Sequence, residues 1–379
     1  MPITTTTQSN TFNISPVSPT DHYTGFLCST TTYNLLGVTA DPFTNLENIS
    51  DSISTLSSRT AYTGITTNSL SDKEIHSIFN CMEYGGKIVL SGTTGGLVLS
   101  SAKISEVISE DASRYNEVLS VAKARTNCIA IIGSDRDVSG NYTNPDQANI
   151  ISQVDTQLGT TGTTATSYLA CTVIGHKDRP RFYTGSSSTT TGITVFLVSD
   201  AAGANARASS QSKPYLTSAG VYRGELLNYT NVTPKLSFTS SITLASRGVN
   251  YFNYLQSKGK YYLWGDETGF RDSTSAKSSY GFAKAFVYIN RETTSILDDY
   301  VFEFNDATTR SAIKSKIQNL LDPMVSNGAL VSYTLICDET NNPQSVINQR
   351  QLKVDLTIVP NLPVKSITLS FSISLLSWT

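Results

Sequence analysis

The segment Ser366–Leu375, close to the C-terminal end of the chain, alternates strictly between polar and apolar positions. Serine or threonine occupies one set of positions, and large apolar residues occupy the other: Ile367, Leu369, Phe371, Ile373 and Leu375. A period of two places all five apolar side chains on one face of a β-strand. An uncharged strand of this kind has to pair with a sheet. The preceding Pro360-Asn361-Leu362-Pro363 predicts a hinge, so we expect the strand to pair with a neighbouring copy of the chain.

The first 20 residues carry a shorter apolar pattern in an uncharged, polar segment. Its apolar positions are Phe12, Ile14 and Val17. A segment with so few apolar residues has no core of its own. We therefore expect an N-terminal arm over residues 1–20 and a C-terminal arm over residues 364–379, both adding strands to the sheets of neighbouring subunits.

Helical and strand patterns alternate in the middle of the chain. Helical spacing of apolar residues runs from Ile104 to Ala122, and the apolar strand Cys128–Ile132 follows. This alternation predicts an α/β domain over residues 101–244. Residues 21–100 and 245–363 are expected to form a second domain, so that the whole is a mixed α+β and α/β fold of two domains with two arms.

The region after residue 299 predicts a strand, a helix and two more strands. The first strand is expected at Tyr300–Phe304, and Asn305 or Asp306 then caps a helix that Pro323 ends. The helix has an apolar stripe of Ile313, Ile317, Leu320 and Leu321. The two further strands are expected at Leu330–Cys337 and Leu352–Val359.

Composition narrows the possible functions. The chain has 379 residues, 39% of them hydrophobic and 15% charged, with a net charge of −2, so no global attraction to nucleic acid or to a membrane surface is indicated. No window approaches the ~18 apolar residues of a membrane span, and the N-terminus lacks the pattern of a signal peptide. The five cysteines have neither metal-ligand nor disulfide spacing, which favours assembly in a reducing compartment.

Motifs for catalysis are missing from the sequence. It contains no P-loop, no dinucleotide fingerprint and no GxSxG nucleophile elbow. His22, His76 and His176 lie at no metal-binding spacing. We therefore predict no catalytic residue, no metal site and no cofactor. Aromatic runs such as Tyr251–Tyr254 and Tyr261–Trp264 suit the stacking of single-stranded bases, but with few basic neighbours they are expected to fill the core and subunit interfaces.

The C-terminal half carries an ordered series of short motifs. They are Lys213-Pro-Tyr-Leu-Thr-Ser-Ala-Gly-Val-Tyr-Arg-Gly224, Leu244–Asn250, Gly259–Gly265 with Thr268, Val301-Phe-Glu-Phe-Asn-Asp306 with Thr309-Arg310, Asn327–Leu330, Cys337-Asp338 with Asn341–Pro343, and Ile358–Pro363. In order and spacing this series resembles the contractile tail sheath proteins of phages, and more distantly the sheaths of contractile bacteriocins and type VI secretion. The paired arginines common in that family after its Trp-Gly…Thr segment are missing, and the N-terminal half matches weakly.

The resemblance implies a non-enzymatic structural subunit, in which residues 101–244 form the outer domain and residues 21–100 and 245–363 form the inner, tube-facing domain. It implies stacked hexameric rings around an inner tail tube, partners in the baseplate and in the tail terminator or neck, and a place in the virion tail after assembly in the bacterial cytoplasm. Contraction without nucleotide is expected to drive the tube through the host envelope for genome ejection. Arg310, Lys314 and Lys316 are then candidates to face an acidic stripe on the tube, although an ordinary solvated helix face fits equally well.

Two alternatives remain open at this stage. The same subunit suits a bacteriocin or another contractile injection system. The Thr-rich loops suit a surface adhesin, which requires a secretion signal.

Overall fold

The computed structural model describes residues 23–35, 66, 68–95, 104–133, 147–158, 167–181, 192–210, 215–236, 238–363 and 365. The predicted strand-exchange residues of both arms, Phe12, Ile14, Val17, Ile367, Leu369, Phe371, Ile373 and Leu375, lie outside these ranges.

The described strands are β1 (Tyr23–Leu27), β2 (Lys87–Ser91), β3 (Ile104–Ile108), β4 (Ile129–Gly133), β5 (Ala170–Val173), β6 (His176–Pro180), β7 (Gly192–Phe196), β8 (Asn231–Thr233), β9 (Val249–Leu255), β10 (Lys260–Trp264), β11 (Leu330–Ile336) and β12 (Asp355–Pro360). The described helices are α1 (Thr30–Leu35), α2 (Leu70–Glu83), α3 (Tyr115–Arg125), α4 (Gln147–Leu158), α5 (Val198–Ser210), α6 (Phe238–Ser246), α7 (Tyr280–Asp298), α8 (Ala307–Ser326) and α9 (Gln344–Asn348).

Seven strands form one sheet in the order β10-β9-β5-β4-β3-β1-β2. Every neighbouring pair from β9 to β2 is parallel, and β10 is added antiparallel to β9 as a hairpin. Parallel strands are covered on both faces, so their sequences are typically continuous runs of apolar residues. Strand β4, with the sequence Ile-Ala-Ile-Ile-Gly, is accordingly buried at all five positions.

The positions Ile104, Val107 and Ile108 belong to strand β3 and not to a helix. The sequence predicted one helical stretch from Ile104 to Ala122, but helix α3 begins only at Tyr115. Strand β3 pairs with β1 on one side and with β4 on the other, and all five of its residues are buried. Sheet partners therefore decide the structure where the apolar spacing fits both a helix and a strand.

The sheet also corrects the predicted domain boundaries. Strand β3 follows the boundary at residue 101 but pairs with β1, and strand β9 follows the boundary at residue 244 but pairs with β5. Residues from 21–100, 101–244 and 245–363 thus share one sheet and its main hydrophobic core. The alternation of helix and strand is a local pattern, and it does not reveal the order in which strands pair.

A second hydrophobic core lies in the C-terminal part. Helix α8 packs on α7 and on β11, and this core contains Ile289, Ile313, Ile317, Leu321 and Leu335. Leu320, the third residue of the predicted stripe, is only half-buried.

The strand predicted at Tyr300–Phe304 is wrong. These residues form turns between α7 and α8, with a hydrogen bond from the Glu303 amide to the Tyr300 carbonyl (3.1 Å).

The predicted end of helix α8 is also wrong. Pro323 lies inside α8, which continues to Ser326. Proline removes one backbone donor only, and the helix still closes its last turn with a bond from the Asn327 amide to the Pro323 carbonyl (2.9 Å). Of the two predicted caps, Asn305 and Asp306, the structure has Asp306, which accepts the Thr309 amide (2.8 Å).

A smaller antiparallel sheet, in the order β7-β6-β8, contacts helix α2 through charged side chains. Lys177, Arg179 and Arg181 take alternate positions on and just after β6. Arg179 binds Glu83 (3.0 Å) and Arg181 binds Asp72 (2.7 Å), both on one side of α2. Basic residues at a period of two thus meet acidic residues at helical spacing.

Candidate assembly site

Strands β11 and β12 form a hairpin that is separate from the other sheets. They pair antiparallel with one another, and no other described strand pairs with either of them. One face of the hairpin, with Leu335 opposite Leu356, joins the core on α8. The other face is exposed and carries Thr334 opposite Thr357, with Val359 nearby. Unpaired strand edges on a supported two-stranded sheet are a ready acceptor for a further strand.

Two asparagines hold the ends of this hairpin together. The Asn342 side chain is buried, and its Oδ1 accepts the Lys353 amide (2.7 Å) while its Nδ2 donates to the Lys353 carbonyl (2.9 Å). The Asn341 Nδ2 donates to the Ile336 carbonyl (2.9 Å) and to Asp355 Oδ2 (3.0 Å). The Asn341-Asn342-Pro343 motif is therefore a clamp across the base of the β11–β12 loop.

Arg310 lies largely inside the subunit. Its side chain is 7% exposed, and its guanidinium group donates to Asn305 Oδ1 (2.9 Å) and pairs with Glu339 Oε1 (3.2 Å). Glu339 sits on the loop that follows β11, and the Asn305 Nδ2 donates to the Gln351 carbonyl (2.8 Å), which lies between α9 and β12. Arg310 thus ties the start of α8 to the hairpin.

Lys314 and Lys316 are the more accessible cations of α8. Lys316 Nζ pairs with Asp299 Oδ2 (3.1 Å) and lies 4.8 Å from the centre of the Tyr300 ring. Lys314 is half-buried near Asp338. The pKa of Asp338 is lowered chiefly by hydrogen bonds from Thr340, and Lys314 and Arg310 add smaller contributions. The structure therefore separates one buried cation from two that reach solvent, and the tube contact of the three stays a prediction.

The aromatic runs lie on the β9–β10 hairpin. Phe252 and Tyr262 are buried, whereas Tyr254 and Trp264 are partly exposed. All five cysteines are buried as free thiols. In the described part of the chain no group of three metal-ligating side chains comes together. None of the helices described here is both long enough and apolar enough to cross a membrane.

The C-terminal part of the sequence matches a known family. Residues 273–374 match the family model described as phage tail sheath C-terminal domain. The chain is 29% identical over 177 residues to the tail sheath protein of Vibrio phage KVP40 and 29% identical over 180 residues to that of Enterobacteria phage T4. Each alignment spans 47% of this chain but only 26% and 27% of the two relatives.

The solved structures extend the likeness to the whole chain. The sheath complex of an extracellular contractile injection system (PVC) in its contracted state has a TM-score of 0.68 and 15% identity, covering 97% of this chain and 98% of that chain. The contracted helical sheath of the anti-feeding prophage has a TM-score of 0.64, covering 97% and 99%. The chain has the contractile-sheath fold. The resemblance inferred from the sequence and the mixed α/β fold class are confirmed.

The sequence located the family motifs and predicted strands β11 and β12, but it did not indicate that these strands form a hairpin separate from the large sheet. The clamp residues Asn341 and Asn342 gave a signal, because consecutive asparagines before a proline are typical of a fixed turn.

Proposed function

We propose that this chain is the structural, non-enzymatic subunit of a contractile sheath, which polymerises as stacked hexameric rings around an inner tube. The observation that carries the proposal is the likeness to sheath subunits over 97% of this chain, combined with the sheath-domain match over residues 273–374. Tail sheath proteins of two phages among its relatives favour a phage tail. The likeness to an extracellular injection system supports a related machine as the second candidate. Neither comparison favours a surface adhesin.

The subunits are joined by strand exchange in this proposal. The arms around Phe12–Val17 and Ser366–Leu375 add strands to the β11–β12 hairpin of neighbouring subunits. Support comes from the two unpaired edges of the described hairpin and from the strict alternation of the C-terminal segment. Main-chain hydrogen bonds between the added strand and the hairpin then connect neighbouring subunits, and the alternating side chains fix the register of the added strand.

The tube-facing surface includes helix α8. Lys314 and Lys316 reach solvent and are proposed to face acidic groups on the tube, while Arg310 supports them by fixing the helix to the hairpin. The other partners are the baseplate and the tail terminator or neck proteins, in a tail assembled in the bacterial cytoplasm.

Contraction in this account needs no nucleotide. Each interface between subunits gains a few kcal/mol in the contracted state, and a lattice of identical subunits adds these gains together. The arms keep neighbours connected while other contacts rearrange, and shortening of the sheath drives the tube through the host envelope for genome ejection.

Electron microscopy of the purified protein tests the proposal. We expect hollow cylinders in negative stain from the full chain and short, unstacked species after removal of residues 366–379. The shortened protein should keep its circular dichroism spectrum, because in this proposal the removed strand pairs with a neighbouring subunit and not with its own. Normal cylinders from the shortened protein would remove the C-terminal arm from the proposal.

A further inference from the structure

The segment that leads into the C-terminal arm is tied at both of its ends. At one end, the Asn361 amide donates to the Ala329 carbonyl (3.1 Å) and its Nδ2 donates to the Gly328 carbonyl (2.9 Å). At the other end, Lys365 Nζ lies 2.8 and 2.9 Å from the two carboxylate oxygens of Glu267. The sequence predicted a hinge at Pro360–Pro363. The structure instead shows a strap that runs from the β11–β12 hairpin to the region beside the large sheet.

Glu267 is held firmly by its surroundings. Its amide donates to Asn250 Oδ1 (2.8 Å), and Asn250 Nδ2 donates to the Glu267 carbonyl (2.8 Å). Asn250 lies on β9 and is buried. On its other side, Glu267 forms an antiparallel bridge with Ser279, the residue that caps α7. Both strand β9 and helix α7 therefore fix the backbone that presents this carboxylate.

The ion pair is unequally exposed. The Glu267 side chain is 15% exposed and that of Lys365 is 46% exposed. Burial raises the pKa of Glu267, and the neighbouring Asp266 adds to the rise, whereas Lys365 opposes it. A carboxylate that is mostly withdrawn from water gains more from a cation that binds both of its oxygens than a fully exposed one does.

We propose that Glu267 is an anchoring site for the ammonium group of Lys365, and that this pair fixes the point from which the C-terminal arm leaves the subunit. The consequence for assembly rests on the proposed function. An arm that starts from a fixed point loses less freedom when it pairs with a neighbour, so the anchor favours strand exchange without contributing to the exchanged strand. Glu267 and Lys365 are 98 residues apart in sequence, and neither belongs to an alternating segment.

Trypsin provides a direct test on the unassembled subunit, because it cleaves after Lys365. In Glu267→Gln the ion pair is lost, and we expect cleavage after Lys365 to become about fivefold faster, the change that corresponds to about 1 kcal/mol. The matched control is Glu225→Gln. This variant removes the exposed pair between Glu225 and Lys260 (2.5 Å) and should leave the cleavage rate after Lys365 unchanged. Equal cleavage in wild type and Glu267→Gln would overturn the anchor.

Charge exchange tests the consequence for assembly. Glu267→Lys and Lys365→Glu should each abolish long cylinders while the thermal unfolding midpoint stays within a few degrees of the wild type. The double variant restores an ion pair in reverse and should recover cylinders. Single variants that assemble normally would contradict the inference and leave the proposed function intact. A wild-type chain without cylinders would contradict the proposed function. Trypsin cleavage would still show whether Glu267 anchors Lys365.

Discussion

Lys177 and Asp200 form an ion pair that is fully withdrawn from solvent. The Lys177 Nζ lies 2.7 Å from Asp200 Oδ1, and both side chains are 0% exposed. Lys177 belongs to β6 of the small sheet, and Asp200 belongs to the first turn of α5, which packs on the large sheet. Asp200 also accepts the Tyr84 hydroxyl (2.8 Å), and Lys177 donates to the Leu227 carbonyl (2.7 Å). Burial lowers the pKa of Lys177, and Asp200 partly offsets this effect.

Removing one partner of this pair is expected to destabilise the subunit strongly. Lys177→Met and Asp200→Asn should each lower the free energy of unfolding by about 3–5 kcal/mol, because each leaves the other polar group buried without its partner. In the double variant the loss should be clearly smaller than the sum. Denaturant unfolding of the wild type, the two single variants and the double variant gives the coupling free energy between Lys177 and Asp200. Losses that simply add in the double variant would show that the pair does not join the two sheets.

Lys284 gives the subunit a stability that depends on pH. This lysine of α7 is buried, and its Nζ makes no hydrogen bond to any described residue. Burial lowers its pKa from 10.5 to about 8, although Glu106 and Asp266 oppose the change. Below pH 8 the folded protein has to hold a buried charge. Between pH 8 and 10.5 the folded state loses this proton while the unfolded state keeps it, so the contribution of Lys284 to stability rises with pH.

Replacing Lys284 by methionine tests this statement. Lys284→Met should raise the free energy of unfolding at pH 7, by up to about 3 kcal/mol, and the difference from wild type should fade as the pH approaches 10.5. Titrating groups that do not interact with Lys284 cancel in the difference. Lys258→Met, at an exposed lysine, should change stability little at any pH. A pH-independent difference for Lys284→Met would contradict the assignment.

Phe302 is held in an unfavourable backbone conformation at the surface. Its φ angle is +75° and its side chain is 94% exposed. Phe302→Gly should therefore stabilise the isolated subunit by about 0.5–1 kcal/mol, because glycine relieves the left-handed conformation and little packing is lost. Phe304→Gly is the matched control. Phe304 is 84% exposed without a positive φ, so we expect no gain in denaturant unfolding there.

The sequence predicted local elements well where one pattern fitted one structure. Helix α8 with its Asp306 cap and strand β4 are examples, since apolar spacing and capping act over a few residues. The pairing of strands that are far apart in the sequence was predicted less well. Strand β3 was assigned to a helix, and predicted domain boundaries cut through the large sheet, because strand order depends on contacts between distant residues. The Glu267–Lys365 pair was missed for the same reason.

The three cations of α8 should behave differently when they are replaced. Lys314→Glu combined with Lys316→Glu should abolish assembly on purified tubes while the subunit keeps its stability, because both side chains reach solvent. Arg310→Gln should instead lower the free energy of unfolding by about 1–3 kcal/mol, because it removes a buried side chain together with its hydrogen bond to Asn305 Oδ1. Co-sedimentation with tubes and denaturant unfolding separate the two effects. Unimpaired binding of the double Lys variant would remove both lysines from the tube contact.

The most direct test of the account is cryo-electron microscopy of cylinders assembled from the full chain, in the extended and the contracted state. We predict that the β11–β12 hairpin of each subunit carries additional strands from its neighbours, one of them Ser366–Leu375, and that this pairing is the same in both states. Cylinders in which the hairpin stays two-stranded, or in which the C-terminal strand changes its partner on contraction, would contradict the account.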